Sequence, residues 1–503
     1  MRFRCVATLL FLVSFLASGF AKESPWVEVR GPHFIVLTDT NEHRAHELVE
    51  QFERMRSFFH RRFPDAHVDG DSPIVVLAVR DEQEFRTLEP EVYLAKNATR
   101  LAGFFARRDE RNYVLLDLSA GGEYPYSVVY HEYVHFIFHH SGKSLPAWLD
   151  EGLAEFYQTT EIHGKEVCFG KPENNSLNFL RRGNRMPLEA LFRVDHTSPY
   201  YHEDNKANIF YAESWALTHY LEFTSRHENV DHISQYVALV NNRVDPVTAA
   251  RQAFGDLGAL QRNLDAYLRQ PTLPFLTNHG ALEMSAADFK TRTLTSAESD
   301  AVRADVLLEV GRSKDARDLL DRLLKEDPSN AQANETMGRL AYHEAHWNEA
   351  AKWFQQAVQS APDNYYAHYY FAKAALRGEG DDEQRKHVEE HLRTVIQLKP
   401  EFAPAYDMLA CHFLNQGRNL DEGYRLELMA AQLDPRNVIY RINGALTLIR
   451  LGRTQDGVNI LQNATNLTND PKLLEHIQNE LQRLRPSQPQ SVETGAKSVP
   501  GAQ

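Results

Sequence analysis

The chain has 503 residues, with 69 acidic and 55 basic side chains and a formal net charge of −14. This length allows two or three domains with their own hydrophobic cores, so the fold does not depend on disulfides. The acidic balance and the lack of a basic block with interleaved aromatic residues argue against a nucleic-acid partner.

The first 21 residues have the layout of a secretory signal peptide. Arg2 and Arg4 precede a short, uncharged apolar run that ends in small residues around Ala21. The run is short for a membrane span, and no later segment resembles one. The sequence therefore predicts export to the periplasm or the cell exterior, with no transmembrane segment after cleavage.

The next hundred residues predict a small mixed sheet with a helix packed on it. β-type runs alternate with one long amphipathic segment, and the polar stretch RDERN separates the last two runs as a hairpin connection would. The predicted strands are WVEV, FIVLT, IVVLAV, GFFAR and YVLLDL, and the predicted helix is Arg44 to Arg62. From Tyr126 to Leu268 the pattern is mainly helical.

The stretch YHEYVHFIFHH contains an H-E-x-x-H motif. On a helix, His131 and His135 lie four residues apart on one face and can present two nitrogens to one ion, while Glu132 can act on a bound water. His139 and His140 are too far along the helix to join that ion, and we expect them at its C-terminal end. The alternative is a buried helix that merely tolerates histidines.

A second helix is predicted in LPAWLDEGLAEFY, which a short link joins to the first. If the two helices fold back antiparallel, Glu151 completes a His, His, Glu set for zinc and leaves one coordination position open for water. Glu155 shares a face with Glu151 and is a candidate hydrogen-bond acceptor for a ligand histidine. Asp150 and Glu161 are expected to be surface charges.

Beyond Thr295, prolines recur at Pro328, Pro362, Pro400 and Pro435, with spacings of 34, 38 and 35 residues. This period, with small or aromatic residues where paired helices pack, is typical of tetratricopeptide (TPR) repeats. The longer interval contains RGEGDDEQ, which reads as an insertion. We expect about five helix pairs, closed by the amphipathic segment Leu473 to Leu484.

The predicted fold class is α+β, with a mixed domain that carries the H-E-x-x-H motif followed by an all-α TPR solenoid. Two cysteines remain after signal cleavage, Cys168 and Cys411, and they fall in different predicted domains, so no disulfide is expected. The predicted boundaries are 1–21 for the signal peptide, 22–285 for the peptidase domain (22–122 mixed α/β and 123–285 mainly helical), 286–296 for a linker, 297–485 for the repeats and 486–503 for a disordered tail.

HEYVH followed by WLDEGLAEF resembles the gluzincin metallopeptidases, specifically the Peptidase MA-like domains distantly similar to aminopeptidase N and thermolysin. The resemblance implies a zincin-like metallopeptidase fold for residues 22–285, and it implies that Glu151 is the third zinc ligand. The segment YAESWALTHYL resembles an aminopeptidase segment whose tyrosine donates a hydrogen bond to the tetrahedral intermediate, a role that falls to Tyr211. Ser214 replaces the glycine of that segment, and a tyrosine that only packs at a helix start is the alternative.

Aminopeptidases of this group also carry a G-x-M-E-N strand whose glutamate holds the substrate's free amine. At the comparable place this chain has GFFAR, Gly103 to Arg107, without a carboxylate. The expected function is therefore a zinc endopeptidase, with Glu132 as general base and with the TPR groove recruiting a protein substrate or partner. The alternatives are a TPR scaffold with a lapsed peptidase-like domain, and a narrow aminopeptidase.

Overall fold

The computed structural model describes residues 25–64, 73–94, 102–106, 111–140, 145–195, 197–202, 204–279, 289–378, 382–468 and 470–484. The predicted signal peptide and C-terminal tail lie outside these residues. Within them, no helix combines the length and the apolar character that a membrane span requires.

A six-stranded mixed sheet organises the N-terminal part of the chain. Its strand order is β4-β5-β3-β2-β1-β9, with β2, β3 and β5 mutually parallel and the remaining pairs antiparallel. A second, three-stranded sheet has the order β6-β7-β8. The strands of the described residues are β1 Val27–Arg30, β2 Phe34–Thr38, β3 Ile74–Val79, β4 Gly103–Ala106, β5 Tyr113–Asp117, β6 Glu161–His163, β7 Glu166–Phe169, β8 Leu276–His279 and β9 Lys290–Thr293.

The helices of the N-terminal part pack on one face of this sheet and on one another, except the short helix Glu82–Leu88, whose Phe85 and Leu88 join the core on the opposite face. They bury a continuous apolar core that reaches from β1 to the last helix before β8. The helices are α1 Glu42–Arg62, α2 Glu82–Leu88, α3 Ser127–His140, α4 Ala147–Tyr157, α5 Asn174–Arg181, α6 Leu188–Leu191, α7 Pro199–His202, α8 Asp204–Glu228, α9 His232–Asn241, α10 Pro246–Phe254 and α11 Leu257–Leu268, with a 3-10 turn at Glu91–Tyr93.

The predicted elements of the first sheet are confirmed, including the antiparallel pairing of GFFA with YVLLD. The small sheet after residue 122 was not predicted. Its first two strands form a hairpin around Gly164, whose φ of 59° suits a glycine in a tight turn. The third strand, β8, comes from more than a hundred residues later, so no local pattern announces it.

The range 286–296, predicted as a linker, contains a strand of the main sheet. Lys290–Thr293 pairs antiparallel with Val27–Arg30 and forms one edge of the six-stranded sheet. Arg292 also forms an ion pair with Glu28 at 2.8 Å. The segment therefore ties the end of the N-terminal part back to its first strand, which a free linker would not do.

The C-terminal part is a solenoid of paired helices, as predicted. Among the described residues from 289 to 484, five helix pairs are followed by a final amphipathic helix, and one short extra helix lies in the predicted insertion. The helices are α12 Ser296–Glu309, α13 Ser313–Glu326, α14 Ala331–His343, α15 Trp347–Ser360, α16 Tyr365–Arg377, α17 Asp382–Lys386, α18 Val388–Leu398, α19 Ala403–Gln416, α20 Leu420–Leu433, α21 Val438–Arg450, α22 Thr454–Ala464 and α23 Pro471–Arg483.

Glycine permits close packing inside a repeat. A Cβ on Gly338 would lie 2.8 Å from the ring of Phe354, so α14 and α15 approach through a glycine-to-aromatic contact. Both positions match the small and aromatic places that the repeat pattern predicts.

The first repeats pack on the other face of the six-stranded sheet. Apolar residues of β2, β3 and β5 share one core with apolar residues of α12, α13 and α14. Asp305 of α12 lies in this contact, where it forms ion pairs with Arg339 and with Arg111 and accepts a hydrogen bond from Tyr113. The solenoid is thus joined to the sheet by a buried interface as well as by the chain.

Candidate metal centre

Helices α3 and α4 bring the predicted ligands together. The two helices are antiparallel. Asp150, early in α4, lies beside His135 and His139 late in α3, whereas Glu155, late in α4, lies beside the earlier His131. The antiparallel arrangement follows from the short link between the helices, and it places Glu151 opposite both histidines of the motif.

The three predicted ligand atoms form a compact triangle. The Nε2 atoms of His131 and His135 are 3.1 Å apart, and Glu151 Oε2 lies 3.5 Å and 3.4 Å from them respectively. Nitrogen and oxygen ligands at typical zinc distances define a tetrahedron with edges of about 3.3 Å. The donor set and its spacing therefore fit a single tetrahedral zinc ion. The same three residues form one of the groups in the described part of the chain that can hold a metal.

Each ligand histidine has a carboxylate behind it. His135 Nδ1 lies 3.1 Å from Asp150 Oδ1, and His131 Nδ1 lies 3.7 Å from Glu155 Oε1. A carboxylate at Nδ1 fixes the tautomer and orientation of a histidine that binds metal through Nε2. Glu155 lies near His131 but beyond hydrogen-bond distance, so its role as an acceptor for a ligand histidine stays a prediction.

The prediction that Asp150 is a surface charge was wrong. Its side chain is 8% exposed and lies between His135 and His139, whose Nε2 is 3.5 Å from Asp150 Oδ2. His139 is in the last turn of α3, as expected, with 54% of its side chain exposed. Asp150 is thus the site residue that sequence reasoning missed. Glu161 differs, because it is partly exposed and pairs with Lys171 at 2.6 Å.

The charges of the site favour a cation between its side chains. Burial opposes charge on His135, but hydrogen bonds and charge attraction from Asp150 and Glu151 raise its pKa to about 10. Burial likewise opposes ionisation of Glu151, yet the two histidines lower its pKa to about 2. Without a metal, the Asp150 and Glu151 carboxylates favour protonated, positively charged imidazoles. With neutral imidazoles, a bound metal ion would supply the positive charge instead.

Close helix packing holds Glu151 in place. A Cβ on Gly152 would lie 2.6 Å from the carbonyl oxygen of Ser214 and would collide with the hydroxyl of Thr218. Only glycine therefore lets α4 approach α8 this closely. This gives a packing reason for the glycine of the D-E-G segment.

The two predicted catalytic side chains lie on elements of the site. Glu132 is half-buried on α3, next to His131, and Tyr211 is half-buried on α8. Helix α8 contacts α4 through Ser214 and Thr218, and Tyr211 lies three residues before Ser214 on α8. The roles of Glu132 and Tyr211 in catalysis stay predictions.

Comparisons with known proteins identify two regions. Residues 126–239 match a family described as a protein of unknown function (DUF1570), and this range includes all six predicted site residues. Residues 307–376 match the tetratricopeptide repeat family. Neither description names a peptidase, and no curated protein matches the chain.

Solved structures similar to part of the chain include two described as TPR proteins. YrrB, a TPR protein with an unusual peptide-binding site, is 21% identical, covering 37% of this chain and 92% of its own, with a TM-score of 0.33. MamA is 17% identical, and the match covers 34% of this chain and 91% of MamA, with a TM-score of 0.31. A thermophilic TPR protein of Thermus thermophilus is 17% identical, and the match covers 37% of this chain and 100% of that protein, with a TM-score of 0.30. The chain thus combines a DUF1570 match that carries a buried His-His-Glu group with a TPR module for protein interaction.

Proposed function

We propose that the chain is an exported, zinc-dependent endopeptidase whose TPR module recruits a protein substrate or partner. The observation that carries the proposal is the triangle of His131, His135 and Glu151, whose donor atoms are 3.1 to 3.5 Å apart. Two histidines that only pack in a core need neither a buried carboxylate facing their Nε2 atoms nor further carboxylates near their Nδ1 atoms.

The residues around the triangle divide the chemistry among them. When bound, zinc supplies a Lewis acid that activates a water and polarises the substrate carbonyl. Glu132 accepts the proton of the attacking water and returns it to the leaving amine. Tyr211 donates a hydrogen bond to the oxygen that becomes negative, while Asp150 and Glu155 hold the two imidazoles by their Nδ1 atoms.

The edge strand β4 supports endopeptidase action. Gly103–Ala106 is the terminal strand of the six-stranded sheet and packs against α3, the helix that carries H-E-x-x-H. An extended substrate can pair with such an edge through its main chain, which requires no free amine. The strand also carries no carboxylate that would hold an N-terminus.

The activity test uses N-blocked, internally quenched peptides with zinc-loaded protein. Glu132→Gln should lower turnover by about 10²–10⁴-fold, the usual contribution of a general base, without changing the zinc content. Glu161→Gln, a change of the same kind outside the metal centre, should cleave like the wild type. Turnover of Glu132→Gln equal to that of the wild type would contradict the proposed mechanism. Cleavage of amino acid anilides alone would indicate an aminopeptidase.

A non-catalytic TPR scaffold is the second candidate. It is favoured by the comparisons, which match repeats and a family of unknown function but no peptidase family. Under this reading the zinc-loaded chain leaves every blocked peptide and anilide intact, yet captures a protein partner through the repeats. Loss of that capture on removing α16 to α23, with zinc still bound, would locate the partner on the later repeats.

A further inference from the structure

A second group of potential ligands lies inside the solenoid, away from the His-His-Glu triangle. Asp407 and Cys411 are one turn apart on α19, and Glu427 faces them from α20. Cys411 Sγ is 3.9 Å from Asp407 Oδ1 and 3.8 Å from Glu427 Oε1. One atom from each residue falls within 4.8 Å of the others, so the three can share one ion.

The Glu427 carboxylate is buried, and its Oε1 atom accepts a hydrogen bond from the Cys411 thiol. Only 1% of the residue is exposed, and its Oε2 atom has no hydrogen-bond partner among the described residues. A buried acidic pair beside a thiol needs either protons or a cation.

We propose that Asp407, Cys411 and Glu427 bind a thiophilic divalent cation, for which Zn²⁺ is the best fit. Sulfur and oxygen ligands at zinc distances define an edge of about 3.5 Å, so the two sulfur–oxygen distances of 3.8 and 3.9 Å need to contract by only a few tenths of an ångström. Carboxylates alone would favour Mg²⁺ or Ca²⁺, but the thiol selects a softer ion.

The surroundings of the group suit metal binding. Asn443 of α21 donates a hydrogen bond from Nδ2 to Asp407 Oδ1 at 2.7 Å, which orients the carboxylate from behind. Asp407 and Cys411 are only partly buried, which leaves a path for the ion and for a water as fourth ligand. Binding releases the thiol proton and any proton held by the carboxyl pair, and it links the two helices of one repeat, α19 and α20.

Cobalt absorption tests this site separately from the proposed peptidase site. A thiolate bound to Co²⁺ gives a near-ultraviolet charge-transfer band, and the His-His-Glu triangle contains no thiol. Titrating Co²⁺ into the full chain carrying His131→Ala, His135→Ala and Cys5→Ser therefore reports only on Cys168 and Cys411. Cys168→Ser is the matched control, because that thiol is buried on β7 away from the group.

We expect the thiolate band at one cobalt per chain in the parent and in Cys168→Ser. Cys411→Ser should abolish it, Glu427→Gln should weaken cobalt binding by at least tenfold, and Asn443→Ala should weaken it by about 10–100-fold. Circular dichroism confirms that each variant is folded. A folded parent without a thiolate band, or a band that survives Cys411→Ser, would overturn the proposal whatever the peptidase assay shows.

Discussion

Removing Asp150 should weaken zinc binding although Asp150 is not a predicted ligand. Its Oδ1 lies 3.1 Å from His135 Nδ1, whereas the corresponding distance from Glu155 to His131 is 3.7 Å. Carboxylates behind a metal-binding histidine are typically worth 10–100-fold in metal affinity. Because its contact is the shorter one, we expect Asp150→Ala to lie near the upper end of this range. Zinc affinity should fall by about 100-fold, or roughly 2.8 kcal/mol of binding free energy.

One further variant separates charge from hydrogen bonding at Asp150, and another tests the longer contact of Glu155. Asp150→Asn keeps an acceptor for the imidazole but removes the charge, so we expect a loss of about tenfold. Glu155→Gln, at the longer contact, should cost no more than about tenfold. Zinc affinity is measured by competition with a chromophoric chelator at one fixed pH.

Glu161→Gln is the control for Asp150, because sequence reasoning treats the two acids alike and the structure separates them. Its zinc affinity should equal that of the wild type. If folded Asp150→Ala binds zinc within twofold of the wild type, then the carboxylate does not support His135, and the reasoning from the distance is wrong.

Three other results are expected. Tyr211→Phe should lower turnover by roughly 100-fold with zinc retained, since an oxyanion donor is worth about 3 kcal/mol; turnover within a few-fold of the wild type would reject that role. His135, with its pKa raised to about 10, carries a proton at neutral pH in the metal-free chain. Zinc binding must displace that proton, so zinc affinity should rise about tenfold per pH unit for each proton released between about pH 7 and pH 9. A zinc affinity that does not change with pH in a series of chelator competitions would contradict this. Gly152→Ala should cost about 1–3 kcal/mol of stability because its Cβ meets the backbone of α8. Thermal melting checks this against Gly121→Ala, whose Cβ meets no atom of the described residues within 4 Å.

The metal triangle was predictable because its signals are local. The spacing of His131 and His135 fixes one helix face, and the short link to WLDEG fixes the direction of the next helix. The role of Asp150 was not predictable in the same way. It precedes Glu151 by one position and so points about 100° away around α4, and only the crossing of the two helices shows that this direction meets His135.

The strands of the first sheet were predictable from their apolar runs, but β9 was not. Its sequence KTRT is short, polar and exposed throughout, and it becomes a strand by pairing with Val27–Arg30 at the opposite end of the domain. The packing of the repeats on the sheet was equally hidden. The pattern of small residues in α12 to α14 predicts contacts within the repeats, and it does not identify which apolar positions face β3 and β5.

Metal content of the purified chain tests the central claim most directly. Plasma mass spectrometry should measure the zinc content of two zinc-equilibrated proteins. The first carries only Cys411→Ser, which removes the site proposed in the solenoid, and the second carries His131→Ala and His135→Ala as well. We expect one zinc per chain in the first protein and none in the second, with both folded. Equal zinc content in the two, or no zinc in either, would mean that the motif in YHEYVHFIFHH does not hold a metal.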